Sequence, residues 1–382
     1  MPEGEIGKAN LAISKTSVSE LLQEQIVPER NTLQIHQDFF HKLGSITRSS
    51  LLPGGESQRP ISLKTKRAEI FKKIKTNWHT NEARNLVAEA KIRDEIARQY
   101  LNQGEVSVDF TDLGEQKARY IHIKPPKEVD KNLDPIFLIP GISNDLDCVG
   151  WLVQELAYQG REVITIGFPE SFMGNVTSEF ADLSEKEDSY EPHTTFFKQA
   201  LNKLISDEKT KELWGYSTGA PIIAEMLQDE KLQKNVSNAV LICPASSANM
   251  SSNEQKLGVV KDVLFHSKKL DDITKFSYTS GRNESDDIEP ESKEQRQLKK
   301  RIFNRHIKKT RQKKDTWKSA RVMNGGEIVV VSGEKDNVTK SRETFSNEGL
   351  LKSFNPQIRL VTMPNGRHFT PLIYPELVIE QI

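Results

Sequence analysis

Gly215-Tyr216-Ser217-Thr218-Gly219 decides how this chain of 382 residues is read. It is followed at once by a helix-forming run, residues 220–227. The pattern Gly-x-Ser-x-Gly is that of a nucleophile elbow, a serine set on a sharp turn between a strand and a helix. Such a turn is strained and crowded, so residues without Cβ are favoured on both sides of the serine. The pattern is short enough to arise by chance, and its weight therefore rests on its neighbours.

Upstream, Pro135-Ile136-Phe137-Leu138-Ile139-Pro140-Gly141-Ile142 is a short apolar run closed by Pro-Gly. Glu162-Val163-Ile164-Thr165-Ile166-Gly167-Phe168-Pro169 repeats that arrangement. Ala239-Val240-Leu241-Ile242-Cys243-Pro244 and residues 327–331 and 357–363 do so downstream. Apolar runs bounded by turn residues suit strands buried on both faces of a parallel sheet. Residues 151–159, stopped by Gly160, and residues 193–204 carry apolar positions at helical spacing. The alternation predicts βαβ units and a doubly wound, mostly parallel α/β sheet. Ahead of the elbow, Lys209-Thr210-Lys211-Glu212-Leu213-Trp214 is polar for a central strand, which predicts a short or partly wet one.

Two loops after the last strands carry the other chemistry. Ser332-Gly333-Glu334-Lys335-Asp336-Asn337-Val338 follows the strand at 328–331, and Pro364-Asn365-Gly366-Arg367-His368-Phe369 follows the one at 359–363. Ligands of open α/β sheets bind at this edge, beyond the strands' C-terminal ends. A serine hydroxyl is a weak nucleophile that needs a base in reach and an orienter for that base. The order Ser217, Asp336, His368 supplies them in the Ser…Asp/Glu…His succession of one fold. Glu334 competes as the acid; the spacing from Gly333 and the following Val338 favour Asp336. Among eight histidines, His368 is preferred because it follows the last strand at a glycine turn. His193 reads as a helix-start or surface residue, and His79, His266 and His306 lie in polar helical segments.

From about Glu105 onward these motifs together resemble the α/β-hydrolase superfamily. Gly215–Gly219 resembles its nucleophile elbow, Gly333-x-x-Asp336 its acid loop, and Gly366-Arg367-His368 with Tyr374-Pro375-Glu376 its histidine loop and following helix. Pro140-Gly141-Ile142 resembles the loop that supplies an oxyanion-hole amide, without the His-Gly-Gly-Gly form of some lipases and esterases. The resemblance implies an α/β-hydrolase core in two parts, residues 105–246 and 327–382. A cap insertion at 247–326 would interrupt it, and a helical extension at 1–104 would precede it. It implies a serine hydrolase acting on an ester, thioester or small amide, with Ser217, His368 and Asp336 as the triad. The backbone N–H groups of Ile142 and Thr218 would form the oxyanion hole, with Gly141 and Tyr216 against the substrate. An acyltransferase would use the same triad, and a binding or scaffold protein could retain the fold.

Composition bounds the rest. Lys plus Arg and Asp plus Glu number 54 each, so net charge exerts no pull toward nucleic acid or an anionic membrane. Neither a Gly-x-Gly-x-x-Gly nor a Walker-A loop is present, so no cofactor is expected. The two cysteines, Cys148 and Cys243, lack metal spacing and read as core thiols, so no metal is expected. The N-terminus shows no secretory signal and no apolar run reaches membrane-spanning length, which predicts a cytoplasmic protein; the resemblance implies a small-molecule acyl substrate as its partner. The polar extension 1–104 is either packed on the body or a docking and self-association arm. In the insertion, a basic run from Lys299 to Lys314 includes Arg301, Arg305, Lys308 and Lys309. It reads as a solvated face or an anion site, with Ile302, Phe303 and Ile307 toward the body.

Overall fold

The computed structural model describes residues 105–113, 115–124, 133–141, 146–171, 174–186, 190–206, 209–245, 258, 292–309, 315–322, 325–339, 355, 357–379 and 382. The expected extension at 1–104, Ile142 and most of residues 246–291 lie outside them.

One sheet holds eight strands: β1 (Glu105–Leu113), β2 (Gln116–Lys124), β3 (Ile136–Ile139), β4 (Val163–Ile166), β5 (Lys211–Tyr216), β6 (Val236–Ile242), β7 (Ile328–Gly333) and β8 (Ile358–Met363). Their spatial order is β1-β2-β4-β3-β5-β6-β7-β8. Strands β3 to β8 pair in parallel. The hairpin β1–β2 is antiparallel and joins β4 antiparallel. The parallel strands β3, β4, β5 and β7 are buried at every position. In β2 buried and half-buried residues alternate from Tyr120 onward, as in a strand with one wet face.

The helices are α1 (Gly150–Tyr158), α2 (Ser178–Lys186), α3 (Glu191–Leu204), α4 (Gly219–Met226), α5 (Glu230–Gln233), α6 (Lys293–Lys309), α7 (Asp315–Ser319), α8 (Thr370–Ile373) and α9 (Glu376–Ile379). They cover both faces of the sheet. Side chains alternate along a strand, so Phe137, Ile139 and Leu213 enter one core with Phe197 of α3, Ile222 of α4 and Ile302 of α6. Ile136, Leu138, Trp214 and Tyr216 enter the other, with Leu152 of α1 and Leu372 of α8. This is the doubly wound arrangement the sequence predicts.

Strand β5 departs from the expectation of a short or wet strand: its six residues are all buried. Its polar side chains are paired, which is what makes their burial tolerable. Lys211 Nζ donates to the Ser206 carbonyl at 3.1 Å. The Glu212 carboxylate accepts from Trp214 Nε1 at 3.0 Å and pairs with Arg161 Nη2 at 3.0 Å.

The described residues between β6 and β7 also depart from expectation. Helix α6 packs on α2, with Leu298 and Ile302 in the same core as Phe180. Its basic residues do not all face outward. Lys299 is buried and its Nζ donates to the Ser171 carbonyl at 2.9 Å. Arg301 Nη2 bridges Asp182 and Glu185 of α2, both at 2.6 Å. Two cations of the supposed anion site are thus committed within the protein. Among the described residues no helix is long and apolar enough to cross a membrane.

Candidate active site

The elbow is built by close approach. A Cβ on Gly215 would lie 2.7 Å from Ala220 Cα, and one on Gly219 would lie 2.3 Å from the Ile139 carbonyl oxygen. Both distances are below any real contact, so only glycine lets α4 fold back against β5 and the end of β3. Between them Ser217 is held at φ +53°, a left-handed conformation that costs an L-residue on the order of 1–3 kcal/mol. Three backbone bonds hold it there: Ser217 N–H to the Ile242 carbonyl (2.8 Å), and Ala220 and Ala245 N–H to the Ser217 carbonyl (3.2 and 3.0 Å).

The structure brings the three sequence-predicted residues together at the C-terminal ends of β5, β7 and β8. His368 Nε2 lies 3.0 Å from Ser217 Oγ, and His368 Nδ1 lies 3.0 Å from Asp336 Oδ2. Asp336 and His368 are buried while Ser217 is half-buried, so the serine is the member that reaches solvent.

Asp336 receives hydrogen bonds on every side. Its Oδ1 accepts the Val338 and Thr339 N–H groups at 2.9 and 3.1 Å, and its Oδ2 accepts the Thr339 hydroxyl at 2.8 Å. Burial pushes this carboxyl up, but the charge and hydrogen bond of His368 and the two Thr339 donors outweigh it and hold the group below the ordinary carboxylate value. An ionised carboxylate only accepts. It therefore fixes the ring proton on Nδ1 and leaves Nε2 to accept from the Ser217 hydroxyl.

The competing acid has another task. Glu334 is exposed, and its Oε2 accepts the Asn365 N–H at 2.7 Å. With Lys335 N–H on the Gly366 carbonyl at 2.7 Å, it fastens the acid loop to the histidine loop. Tyr216 is fully buried, with its hydroxyl donated to the His368 carbonyl at 3.0 Å and its ring 5.3 Å from the imidazole. Its side chain thus holds the histidine loop rather than lying open to a substrate, as the sequence reading has it. Thr218 is the N-cap of α4, where N–H groups have no intrahelical acceptor. Gly141 is buried beside Pro140, at the strand end on which Gly219 rests.

Sequence reasoning misses two residues of this site. Thr339 supports the acid; its signal is the spacing Asp336-x-x-Thr339, which puts a hydroxyl and two N–H groups in a carboxylate's reach. Cys243 directly follows β6 and lies beside Asp336 and His368, and nothing in its local sequence marks it. His193, read as a surface or helix-start residue, is instead fully buried, with Nε2 3.1 Å from both Glu170 carboxylate oxygens.

No family model matches the sequence, and no curated protein matches it. Solved structures do. The chain is similar to a serine hydrolase involved in carbazole degradation, the CarC enzyme, at 13% identity, covering 72% of this chain and 97% of that one, TM-score 0.51. It is similar to E-2-(acetamidomethylene)succinate hydrolase at 11% identity, 72% and 97% coverage, TM-score 0.51. It is also similar to the thioesterase domain from the curacin biosynthetic pathway at 13% identity, 72% and 98% coverage, TM-score 0.50. The chain has the α/β-hydrolase fold. Ser217 follows β5, Asp336 lies in the loop after β7 and His368 in the loop after β8. The described elements run from β1 to α9, and α6 and α7 lie between β6 and β7.

Proposed function

We propose that this α/β-hydrolase-fold protein is a serine hydrolase that cleaves an ester, thioester or small amide through an acyl-enzyme. The observation that carries the reading is the bonded line from Ser217 Oγ through His368 to Asp336, 3.0 Å at each step, ending on a serine with left-handed backbone. A solvated turn serine needs neither the strain nor a buried histidine–carboxylate pair behind it. The three similar structures are named for hydrolase or thioesterase chemistry, the class proposed here.

His368 Nε2 takes the Ser217 proton as Oγ attacks the acyl carbon, and returns it to the leaving group. Asp336 stabilises the imidazolium without taking its proton. The developing oxyanion meets the Thr218 N–H and, on the resemblance, the Ile142 N–H; each such donor contributes ~3–4 kcal/mol of transition-state stabilisation. Water then attacks the acyl-enzyme by the reverse path. The partner this implies is a small-molecule acyl substrate in a reducing, cytoplasmic setting, with residues 247–326 as a cap.

Labelling by a fluorophosphonate probe tests the reading. The full-length protein should be labelled and Ser217→Ala should not. Labelling retained in the folded variant would remove Ser217 from the mechanism, and a wild type that is never labelled would leave the fold as a binding scaffold. A panel of p-nitrophenyl esters of graded chain length then reads the acyl pocket.

A further inference from the structure

Strands β5, β6, β7 and β8 are neighbours in that order, and their C-terminal ends carry Ser217, Cys243, Asp336 and His368. The hydrolytic mechanism uses three of these. Cys243 is fully buried and left-handed at φ +45°, with its N–H donated to the Val331 carbonyl at 2.7 Å. Its Sγ, a ring nitrogen of His368 and a carboxylate oxygen of Asp336 all lie within 4.8 Å of one another.

We propose that Cys243, Asp336 and His368 form an inhibitory site for a thiophilic divalent cation of the Zn²⁺ type, which switches the hydrolase off by taking the base's ring nitrogen. The effect on activity rests on the proposed triad; the binding does not. One sulfur, one imidazole nitrogen and one carboxylate oxygen suit a borderline-soft ion, whereas Mg²⁺ and Ca²⁺ seek oxygen shells. Zinc bonds of roughly 2.0–2.3 Å place tetrahedral ligands about 3.5 Å apart, so His368 Nδ1 and Asp336 Oδ2, now 3.0 Å apart, open slightly, while the Cys243 sulfur starts no more than 4.8 Å from either. Thr339 Oγ1, 2.8 Å from Asp336 Oδ2, offers a further oxygen.

Geometry decides which nitrogen is taken. Nε2 faces Ser217 and Nδ1 faces Asp336. The metal therefore bonds Nδ1, whose proton moves to Nε2. It bonds the Cys243 sulfur as thiolate, and the thiol proton leaves to solvent. Asp336, already ionised, supplies an oxygen. One proton is released per ion and no oxidation state changes. An imidazole protonated on Nε2 donates to Ser217 and no longer accepts from it, so the nucleophile is not activated. Inhibition needs no movement of a lid or domain.

The test uses full-length protein freed of metal by chelation, titrated with Co²⁺ and separately with Zn²⁺. Wild type should show a near-ultraviolet thiolate-to-cobalt charge-transfer band. Zn²⁺ should inhibit its ester hydrolysis, and a chelator should restore it. In Cys243→Ala the band should vanish, and the half-inhibiting Zn²⁺ concentration, taken relative to that variant's own metal-free rate, should rise at least ~10-fold. Cys243→Ser, closer in size, serves if the alanine variant does not fold. Ser217→Ala should keep the band, which separates failure of the metal site from failure of the triad reading. The chain has two cysteines, so a band that survives in Cys243→Ala places the ion at Cys148 and overturns the proposal. A wild type without the band, or equal Zn²⁺ sensitivity in wild type and variant, also overturns it.

Discussion

Replacing Asp336 by asparagine tests the site at its most constrained atom. Every hydrogen bond to this carboxylate arrives from a donor: two N–H groups on Oδ1, the Thr339 hydroxyl and His368 Nδ1 on Oδ2. An amide NH₂ in the Oδ1 position would face two backbone donors and leave both unpaired while buried, at about 1–3 kcal/mol each. The NH₂ group therefore takes the Oδ2 position, where the Thr339 hydroxyl can rotate to accept and His368 Nδ1 must accept too. The ring proton then resides on Nε2, and Ser217 loses its base. On this account kcat falls by about 10⁴-fold, or ~5 kcal/mol of barrier, while KM stays within about threefold. The assay is steady-state ester hydrolysis beside the rate of fluorophosphonate labelling. Glu334→Gln is the control, since its side-chain carbonyl can still accept the Asn365 N–H. A loss below about tenfold in Asp336→Asn, or a larger loss in Glu334→Gln, would refute the reasoning.

Thr339→Val keeps the shape and the N–H bond but removes the hydroxyl from Asp336, so unfolding in urea should show a loss of about 1.5–3 kcal/mol. An unchanged midpoint would remove Thr339 from the support of the acid. The Glu162 carboxyl is held down to about 2 by the hydrogen bond to His122 and by Lys209, against its burial. A lowered carboxylate contributes stability that is present above its unfolded value and lost as pH falls through its folded one. Glu162→Gln should therefore lower the melting temperature near neutral pH, with the gap to wild type closing between about pH 4.5 and 2; a gap that is constant with pH refutes this. On α6, Arg301→Ala should cost at most ~1 kcal/mol because its ion pairs are exposed, whereas Ile302→Ala should cost ~2–5 kcal/mol. Equal losses in the chemical-denaturation midpoint would mean that α6 is not anchored by its apolar side.

Strands β3, β4 and β7 were legible because they are buried on both faces and so appear as mainly apolar runs. Ile136–Ile139, Val163–Ile166 and Ile328–Gly333 are of this kind. Hairpin β1–β2 was not, because β2 carries Lys117 and His122 on its wetter positions and a buried Arg119 among its apolar ones. Strand β5 was misread because a sequence shows that Glu212 is charged, not that Arg161 and Trp214 meet it inside the fold. The same reason hides His193: its burial depends on Glu170, which arrives from the loop after β4. For the site, glycine turns and chain order were enough to single out Ser217, Asp336 and His368. The choice of Asp336 over Glu334 finds its physical ground only when Glu334 is seen bonded to Asn365. The neighbourhood of Cys243 depends on sheet order alone.

That order also explains how His368 comes to lie between Ser217 and Asp336. Adjacent parallel strands lie about 4.8 Å apart, so loops from β5, β7 and β8 end within side-chain reach of one another. The histidine loop is then fixed by its backbone from two directions. Tyr216, on β5 next to the nucleophile, bonds the His368 carbonyl. From the acid loop, Glu334 N–H meets the Met363 carbonyl at 3.1 Å and Lys335 N–H meets that of Gly366 at 2.7 Å. The position of the imidazole between Ser217 and Asp336 thus follows from bonds that no titration of the ring would break. What remains free to change is the ring's proton, on Nδ1 or on Nε2. Loss of the Asp336 charge and capture of Nδ1 by a metal both act on that single variable, and each leaves the serine in place without its base.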